Sequence, residues 1–488
     1  MSDGTTAAPA PSGPGASSAA GPRNGWVLAT LPDDCRHALV LGDDELADQL
    51  RDAGISVARR VVADEPTSTD AIVVAEHPTT EDSELAALAS RLTPGGVLAV
   101  ALAQPAEPPD RVTIRHRMKD ALRRPAVATG VVVRARQVEA RLEKVGLDVE
   151  RLAAGELSRA HSLGAGTRAV RLPRAMIVVG RSQPSRGSVL EAALEAVESE
   201  LSCARPVSAT VRGSGALLVD LAASEGARWM LRLGTGAGAR LMVSAERNVG
   251  ALTERAPAAV RDRIPPQLAV GVLRWARYSV EPKAAGRVPR YLKPRLWREA
   301  LEFLIALRHD ANRPWAPGSL SPLVATLSPH VDALGQQTLV DVAQRLDQRL
   351  EGVTLGWAHG DLWPGNLLAH NGRLTAVLDW DSASPHALPL LDMFHLIAWG
   401  ERRYRPLSLG AFCESALWPL AQDGGDQRIR SYCEATGTPR DAETLEALAQ
   451  AYWLVRAARE VGTFADRAKR PAWMEANVHR PLAALAGL

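Results

Sequence analysis

The residues of this chain best suited to chemistry stand within Trp357–Asp392, WAHGDLWPGNLLAHNGRLTAVLDWDSASPHALPLLD. His359, Gly360 and Asp361 are consecutive, Asn366 follows five residues after Asp361, and Asp379 and Asp381 flank Trp380. Moving a phosphoryl group onto an alcohol calls for two kinds of oxygen. A hard divalent cation must bridge the nucleotide phosphates, and Asn366 with Asp379 offer it a neutral and an anionic oxygen. A separate carboxylate must orient the acceptor hydroxyl and take its proton, and Asp361 fits that place. His359 suits a structural role, bracing the loop backbone, while Gly360 lets the chain turn tightly between His359 and Asp361.

The elements around these residues follow from the apolar pattern. Runs at 366–369 and 374–378 flank the Asn371-Gly372 pair, which predicts a loop, a hairpin and a second loop. A hairpin brings its two ends together, so Asp361, Asn366 and Asp379 are expected around one small volume.

Composition narrows the remaining classes. The 488 residues, 46% of them apolar, are enough for two or three buried cores. With 57 basic against 55 acidic side chains, neither a polybasic nucleic-acid binder nor a highly acidic solvating chain is expected. Cys35, Cys203, Cys413 and Cys433 are too scattered for a disulfide framework or a structural zinc site, so reduced, mostly buried thiols are expected. Residues 1–24 lack the basic start and apolar run of a secretory signal. No apolar stretch reaches the ~18 residues of a membrane helix. These features predict a cytoplasmic protein with no membrane or nucleic-acid partner.

The chain divides by pattern. Residues 1–24, rich in Ala, Ser, Gly and Pro, read as a disordered tail. Residues 25–184 alternate short apolar runs (His37–Leu41, 55–62, 71–75, 97–101) with helical stretches, the rhythm of a parallel, doubly wound sheet, with last strands near 146–152 and 175–179. A polar break at 181–188 contains the linker, 185–188. Residues 189–488 open with a helix and two strand-like runs, 216–221 and 229–233, and then become mostly helical. The fold expected is an α/β Rossmann-like N-terminal domain plus an α+β bilobal, protein-kinase-like C-terminal domain.

HGDLWPGNLL…AVLDWD…LPLLD resembles the catalytic and metal-binding region of the aminoglycoside phosphotransferase and choline kinase family, distant relatives of protein kinases. The resemblance implies Asp361 as base, Asn366 and Asp379 as magnesium ligands, Asp392 as a buried acid bracing the loop, and Asp381 as a neighbour assisting the metal site. It implies ATP (or GTP) and Mg2+ as cofactors and a small-molecule hydroxyl acceptor, over a small lobe at about 189–283 and a large lobe at about 284–488. In the small lobe, Gly213 and Gly215 form a short glycine turn that would cover phosphates. Arg232 stands where the family usually has a lysine, Glu246 matches the acid paired with it, and backbone groups near Val280–Lys283 would meet the adenine. An arginine can neutralise phosphate, but its planar fork is not an ammonium.

Residues 25–184 more faintly resemble an S-adenosylmethionine-dependent methyltransferase, through VLGDD after the first strand and LTPGGVLAVAL at a late one. Gly42 stands alone there, so a degenerate relative is expected. The glycines of Gly234–Ala239, which superficially fit a dinucleotide fingerprint, lack a following parallel strand. The basic run 111–124 reads as a solvated helix face. Two other functions remain open: a nucleotide-binding pseudokinase or regulatory module, and a bifunctional methyltransferase-kinase. Beyond Asp392, acids (Glu414, Asp423, Asp426, Glu460, Asp466) mix with Arg428, Arg430, Arg456, Arg459 and Arg467. That mixture leaves the acceptor open between a cationic compound and a neutral sugar.

Overall fold

The computed structural model describes residues 31–59, 68–75, 82–103, 135, 137–138, 140–144, 147–160, 170–182, 187–198, 200–201, 204–211, 216–404, 407–463 and 465–487. The expected tail, the basic run 111–124 and the glycine turn of Gly213 and Gly215 lie outside them. Two compact units result. One comprises the described residues up to Val288 together with Leu367–Ser382, and the other comprises Pro289–Asn366 with Ala383–Leu488.

The first unit begins with a six-stranded sheet of β1 (His37–Leu41), β2 (Ser56–Ala58), β3 (Thr69–Ala75), β4 (Leu92–Ala103), β5 (Asp148–Ala160) and β6 (Val170–Arg181) in the order β2-β1-β3-β4-β6-β5. β1 pairs in parallel with β2 and β3, and β3 with β4. Every residue of β3 is buried, as a central parallel strand covered on both faces requires. The expectation of a wholly parallel sheet is corrected at its far edge, where β6 runs antiparallel to both β4 and β5. The sequence between β5 and β6 is too short for the crossover helix that a parallel pair needs.

Two-residue alternation sorts the sheet into two cores. Leu39, Ile72, Val74, Leu98 and Val100 face Leu85 and Leu88 of the helix Asp82–Ala89, with Leu142 and Leu147. Ala38, Val40, Ala71, Val73, Val97 and Ala99 face the other way, onto Leu46 and Leu50 of the helix Asp44–Asp52. That second core does not stop at the polar break. It continues through Val189, Ala193 and Val197 into Leu217, Leu221, Leu231, Leu233 and Val280.

Those last residues belong to a five-stranded antiparallel sheet of β7 (Arg205–Val211), β8 (Leu217–Ala222), β9 (Arg228–Gly234), β10 (Ala269–Val272) and β11 (Arg277–Pro282), ordered β10-β11-β9-β8-β7. The connecting helix Val189–Ala196 starts with a capping box, in which Ser188 and Glu191 exchange side-chain-to-backbone hydrogen bonds. A long helix, Gly236–Arg255, follows β9.

The second unit is helical around a small sheet of β12 (Arg313–Pro314), β13 (Thr354–Ala358) and, later, β16 (Ser384–Ala387). Between β13 and β16 in sequence comes the hairpin β14 (Leu367–His370) and β15 (Arg373–Val377), which clusters with the first unit. Asn371 and Gly372 both take positive φ, 51° and 75°, as a two-residue hairpin turn of the I′ kind demands. In the helix Pro294–Leu307 the buried residues Leu296, Ala300, Phe303, Leu304 and Leu307 form one stripe. The helix Ala442–Thr463 is buried on most sides over its middle and forms the centre of this unit. Its Trp453 meets Trp418 edge to face and donates to the carbonyl of Asn477, so both indoles are core rather than binding platforms.

Cys35, Cys413 and Cys433 are buried and form no disulfide among the described residues. Among the described residues no helix is long and apolar enough to cross a membrane.

Candidate active site

In the helical unit, β13 delivers the chain into a loop whose backbone is held from below. The carboxylate of Asp392, at the start of the helix Leu391–Tyr404, accepts from the N–H groups of His359 (2.7 Å) and Gly360 (2.9 Å). Burial raises the Asp392 pKa against the opposing pull of His359 and these N–H groups. His359 is wholly buried, and its Nδ1 accepts from the Asp361 N–H at 3.3 Å. Gly360 turns at a φ of 77°.

At the loop's far end Asn366 is buried, and its Nδ2 donates to the Asp361 carbonyl at 3.0 Å. Its Oδ1 is buried without a hydrogen-bond partner among the described residues. His359, Asp361, Asn366 and Asp392 are thus gathered in one unit by one loop and one helix start.

The Asp361 carboxylate has partners that spacing did not reveal. Arg456 Nη1 lies 2.9 Å from its Oδ1, His395 Nε2 3.4 Å and Arg459 Nη1 3.8 Å. Burial by itself would raise this pKa. The hydrogen bond with His395 and the charges of Arg459 and Arg456 outweigh burial and hold the carboxyl far below the ordinary range. His395 is pushed down to about 4 by burial and then by Arg456, and its Nδ1 lies 3.0 Å from the Tyr452 hydroxyl. Tyr452, Arg456 and Arg459 recur at four- and three-residue steps on one helix. The stripe was visible in the sequence, but nothing there said what it faces.

In the α/β unit the second loop follows β15. Asp379 sits at a φ of 71°, a conformation that costs a non-glycine residue about 1–3 kcal/mol and clusters at functional sites. Its Oδ1 lies 3.5 Å from Arg232 Nη1. The loop is fastened by Asn248, which donates to the Trp380 carbonyl at 2.9 Å, and by the Trp380 indole, which donates to Val377. Asp381 accepts from the Ser382 hydroxyl at 2.7 Å.

One small-lobe expectation is corrected. Arg232 does not pair with Glu246. It lies opposite Ser279 on β11, which puts Glu281 diagonally next to it on the same face, and the two side chains meet at 3.3 Å. Glu246 is instead hydrogen-bonded to Arg277, two residues before Ser279 on the same strand. Burial disfavours the Arg232 charge, but Glu281 and then Asp379 more than compensate and raise its pKa. Of the backbone groups near Val280–Lys283, two are taken up by the sheet. The Val280 carbonyl accepts from Leu268 and the Lys283 N–H donates to Arg228, both inside the sheet. The Lys283 ammonium and Arg228 are both paired to the buried Asp220.

The turn after β1 is also committed. Gly42 takes a φ of 84°, and a Cβ there would lie 2.5 Å from the Ala75 carbonyl oxygen. Asp43 caps the following helix by accepting from Leu46 N–H at 2.9 Å. The turn fits strand packing and helix capping, and it lends the methyltransferase resemblance no support.

The acid-braced His-Gly-Asp loop thus ends in a buried asparagine oxygen without a partner among the described residues. Residues 221–430 match the model of the phosphotransferase enzyme family (APH). The matched residues include the loop of Asp361 and Asn366 and the loop of Asp379, and they make up less than half of the chain.

Solved structures similar to the chain include a thermostable mutant of the aminoglycoside phosphotransferase APH(4)-Ia in ternary complex with ADP and hygromycin B. It is 16% identical, with 60% of this chain and 95% of that one covered and a TM-score of 0.38. Another is the macrolide 2′-phosphotransferase MphH from Brachybacterium faecium, at 16% identity, 61% and 98% coverage and a TM-score of 0.37. A third, an aminoglycoside phosphotransferase from Alicyclobacillus acidocaldarius, is 15% identical over 60% of this chain and 94% of that one, with a TM-score of 0.34. No curated protein matches the chain.

Proposed function

We propose that the chain transfers the γ-phosphoryl group of ATP to a hydroxyl of a small molecule, with Asp361 as the base. Two observations outside this chain support the choice of nucleotide: similar aminoglycoside phosphotransferases were crystallised with ADP. The observation that carries the reading within the chain is the Asn366 carboxamide. Its Nδ2 is fixed to the Asp361 carbonyl while its buried Oδ1 has no partner among the described residues, an arrangement costly unless something takes that oxygen.

A hard cation fits this donor. We assign Asn366 and Asp379 to hold magnesium, with Asp381 assisting. Among the described residues no three His, Cys, Asp or Glu side chains cluster as a metal cage, which suits an ion that takes one or two protein oxygens and the rest from phosphates and water. When bound, magnesium supplies charge neutralisation for the phosphates. The chain's own residues do the rest. Asp392 fixes the loop backbone, Asp361 orients the acceptor hydroxyl and receives its proton, and Arg232 offers positive charge to the nucleotide phosphates once drawn from Asp379.

A second reading, nucleotide binding without transfer, is favoured by one observation: Arg456 holds the base. Titration calorimetry of ATP with and without magnesium, run beside Asp379→Ala and followed by assay for ADP release over a hydroxyl panel, tests both. Metal-dependent binding that weakens about tenfold or more in Asp379→Ala is expected. Absence of ATP binding in well-folded protein would overturn the assignment.

A further inference from the structure

The Asp361 carboxylate is held on one side only. Arg456 Nη1, His395 Nε2 and Arg459 Nη1 all make their closest approach to the same oxygen, Oδ1, at 2.9, 3.4 and 3.8 Å. Among the described residues no hydrogen bond reaches Oδ2. The torsion that decides which oxygen of an aspartate faces a neighbour is broad and roughly two-fold, so partners have to set it. One contact through one nitrogen of Arg456 leaves the carboxylate free to pivot. A second donor on the same oxygen, from a different helix, removes that freedom.

His395 is the donor with a fixed direction. It stands three residues after Asp392 on the helix Leu391–Tyr404, so one turn of that helix grips the loop twice. Asp392 takes the N–H groups of His359 and Gly360, and His395 takes the Asp361 carboxylate. The His395 ring is buried and engaged at both nitrogens, with Nδ1 3.0 Å from the Tyr452 hydroxyl and Nε2 facing Oδ1. Burial pushes its pKa down to about 4, so the ring is neutral near pH 7 and carries a single proton. A bare nitrogen against a carboxylate would set two lone pairs face to face. The proton therefore belongs on Nε2, and Nδ1 accepts from the Tyr452 hydroxyl.

We infer that His395 is a positioning residue: seated by Tyr452, it turns Asp361 so that Oδ2 is the oxygen that meets the acceptor hydroxyl. The inference rests on the reading of Asp361 as the base. On that reading the acceptor oxygen bonds to the γ-phosphorus and the bond from that phosphorus to the β–γ bridging oxygen breaks. The hydroxyl proton passes to Oδ2, and ADP leaves. A base held at Oδ1 is then aimed rather than blocked, and Arg456 need not let go for transfer to occur.

Two measurements on the full chain test it. In protein labelled with nitrogen-15 at histidine, the His395 ring signals are identified by their loss in His395→Gln. They should show a protonated Nε2 and a bare Nδ1 at neutral pH, and in Tyr452→Phe that single form should give way to a mixture of both. ADP release from magnesium-ATP is then followed with water alone and with glucose, glucosamine or choline as the hydroxyl. With the acceptor that wild type uses best, His395→Leu should lower kcat about a hundredfold while the ATP KM stays within about twofold. His395→Gln, whose side-chain amide can still donate to Oδ1, should stay within about tenfold of wild type, and Tyr452→Phe should lose about tenfold. Packing alone would separate neither the Gln from the Leu variant nor kcat from KM.

A bare Nε2 in wild type, a folded His395→Leu with unchanged kcat, or a His395→Gln no faster than His395→Leu would each overturn the inference. Should His395→Leu fail to fold, the ring signals and Tyr452→Phe decide it. The expected tautomer in a wild type that binds magnesium-ATP but releases no ADP would strike the phosphotransferase reading and leave the turned carboxylate standing.

Discussion

The α/β unit and the helical unit use their polar residues differently. In the first, groups that looked available are taken up by the fold: Asp43 caps a helix, Gly42 lets strands approach, the Val280 carbonyl serves the sheet, and Asp220 fixes Arg228 and Lys283. In the second, a loop braced as firmly leaves one buried oxygen, Asn366 Oδ1, without a partner among the described residues. Polar residues that close their own hydrogen bonds make structure. Those that a rigid frame holds incomplete are where a ligand is to be sought.

The largest effect should come from the incomplete side. Asp361→Asn keeps the shape and removes the base, so turnover should fall by about a hundredfold to ten-thousandfold while ATP affinity stays near wild type. Steady-state kinetics beside calorimetry would show it. Equal losses in both would mean that Asp361 organises the nucleotide rather than the acceptor.

The next prediction concerns the side that closes on itself. Leu50 is fully buried in the core that joins the N-terminal sheet to β8, β9 and β11. Leu50→Ala should cost about 2–5 kcal/mol of stability. Because that core is continuous, the loss should appear in one transition, with Trp229 and Trp275 fluorescence changing at the same denaturant concentration as the far-ultraviolet signal. Separate transitions would show that residues before and after the polar break fold independently.

That shared core also marks where sequence reading stopped. Local patterns were legible: strands β1, β3, β8 and β9, the Asn371-Gly372 turn, and the H-G-D loop with its asparagine. Each depends on neighbours within a few residues, through alternation, turn chemistry or spacing. Partners across elements were not legible. The polar stretch near 185 looked like a divider because it is a gap in hydrophobicity, and hydrophobicity along the chain does not say that Val189 and Leu46 meet. Arg232 finds Glu281 rather than Glu246 through strand register, which no single-strand pattern supplies. Arg456, Arg459 and His395 reach Asp361 only because two helices more than thirty residues beyond it pack beneath one loop.

The helical unit carries a pH signature of its own. His395 is held at about 4 in the fold against an ordinary 6.5, so between those values the unfolded chain binds a proton that the fold refuses. Stability from this site is therefore complete above about pH 6.5 and is lost as the pH falls toward 4. Urea midpoints measured in half-unit steps should decline over that range, and His395→Gln should flatten the slope. A slope unchanged in the variant would assign the acid sensitivity to other groups, the carboxylates of the α/β unit among them.

The smallest effect asks whether the polar break is a joint or only the start of a helix. Ser188 and Glu191 form a capping box on the helix Val189–Ala196, whose Val189 and Ala193 lie in the shared core. Ser188→Ala removes one cap bond and should cost about 1 kcal/mol. If the helix is one member of a continuous core, amide exchange should accelerate together in β3 of the first sheet and β9 of the second, since both open only when that core opens. If the break is a joint, the faster exchange should stay on the second side alone. The same substitution, too mild to unfold the protein, therefore distinguishes one cooperative unit from two that touch.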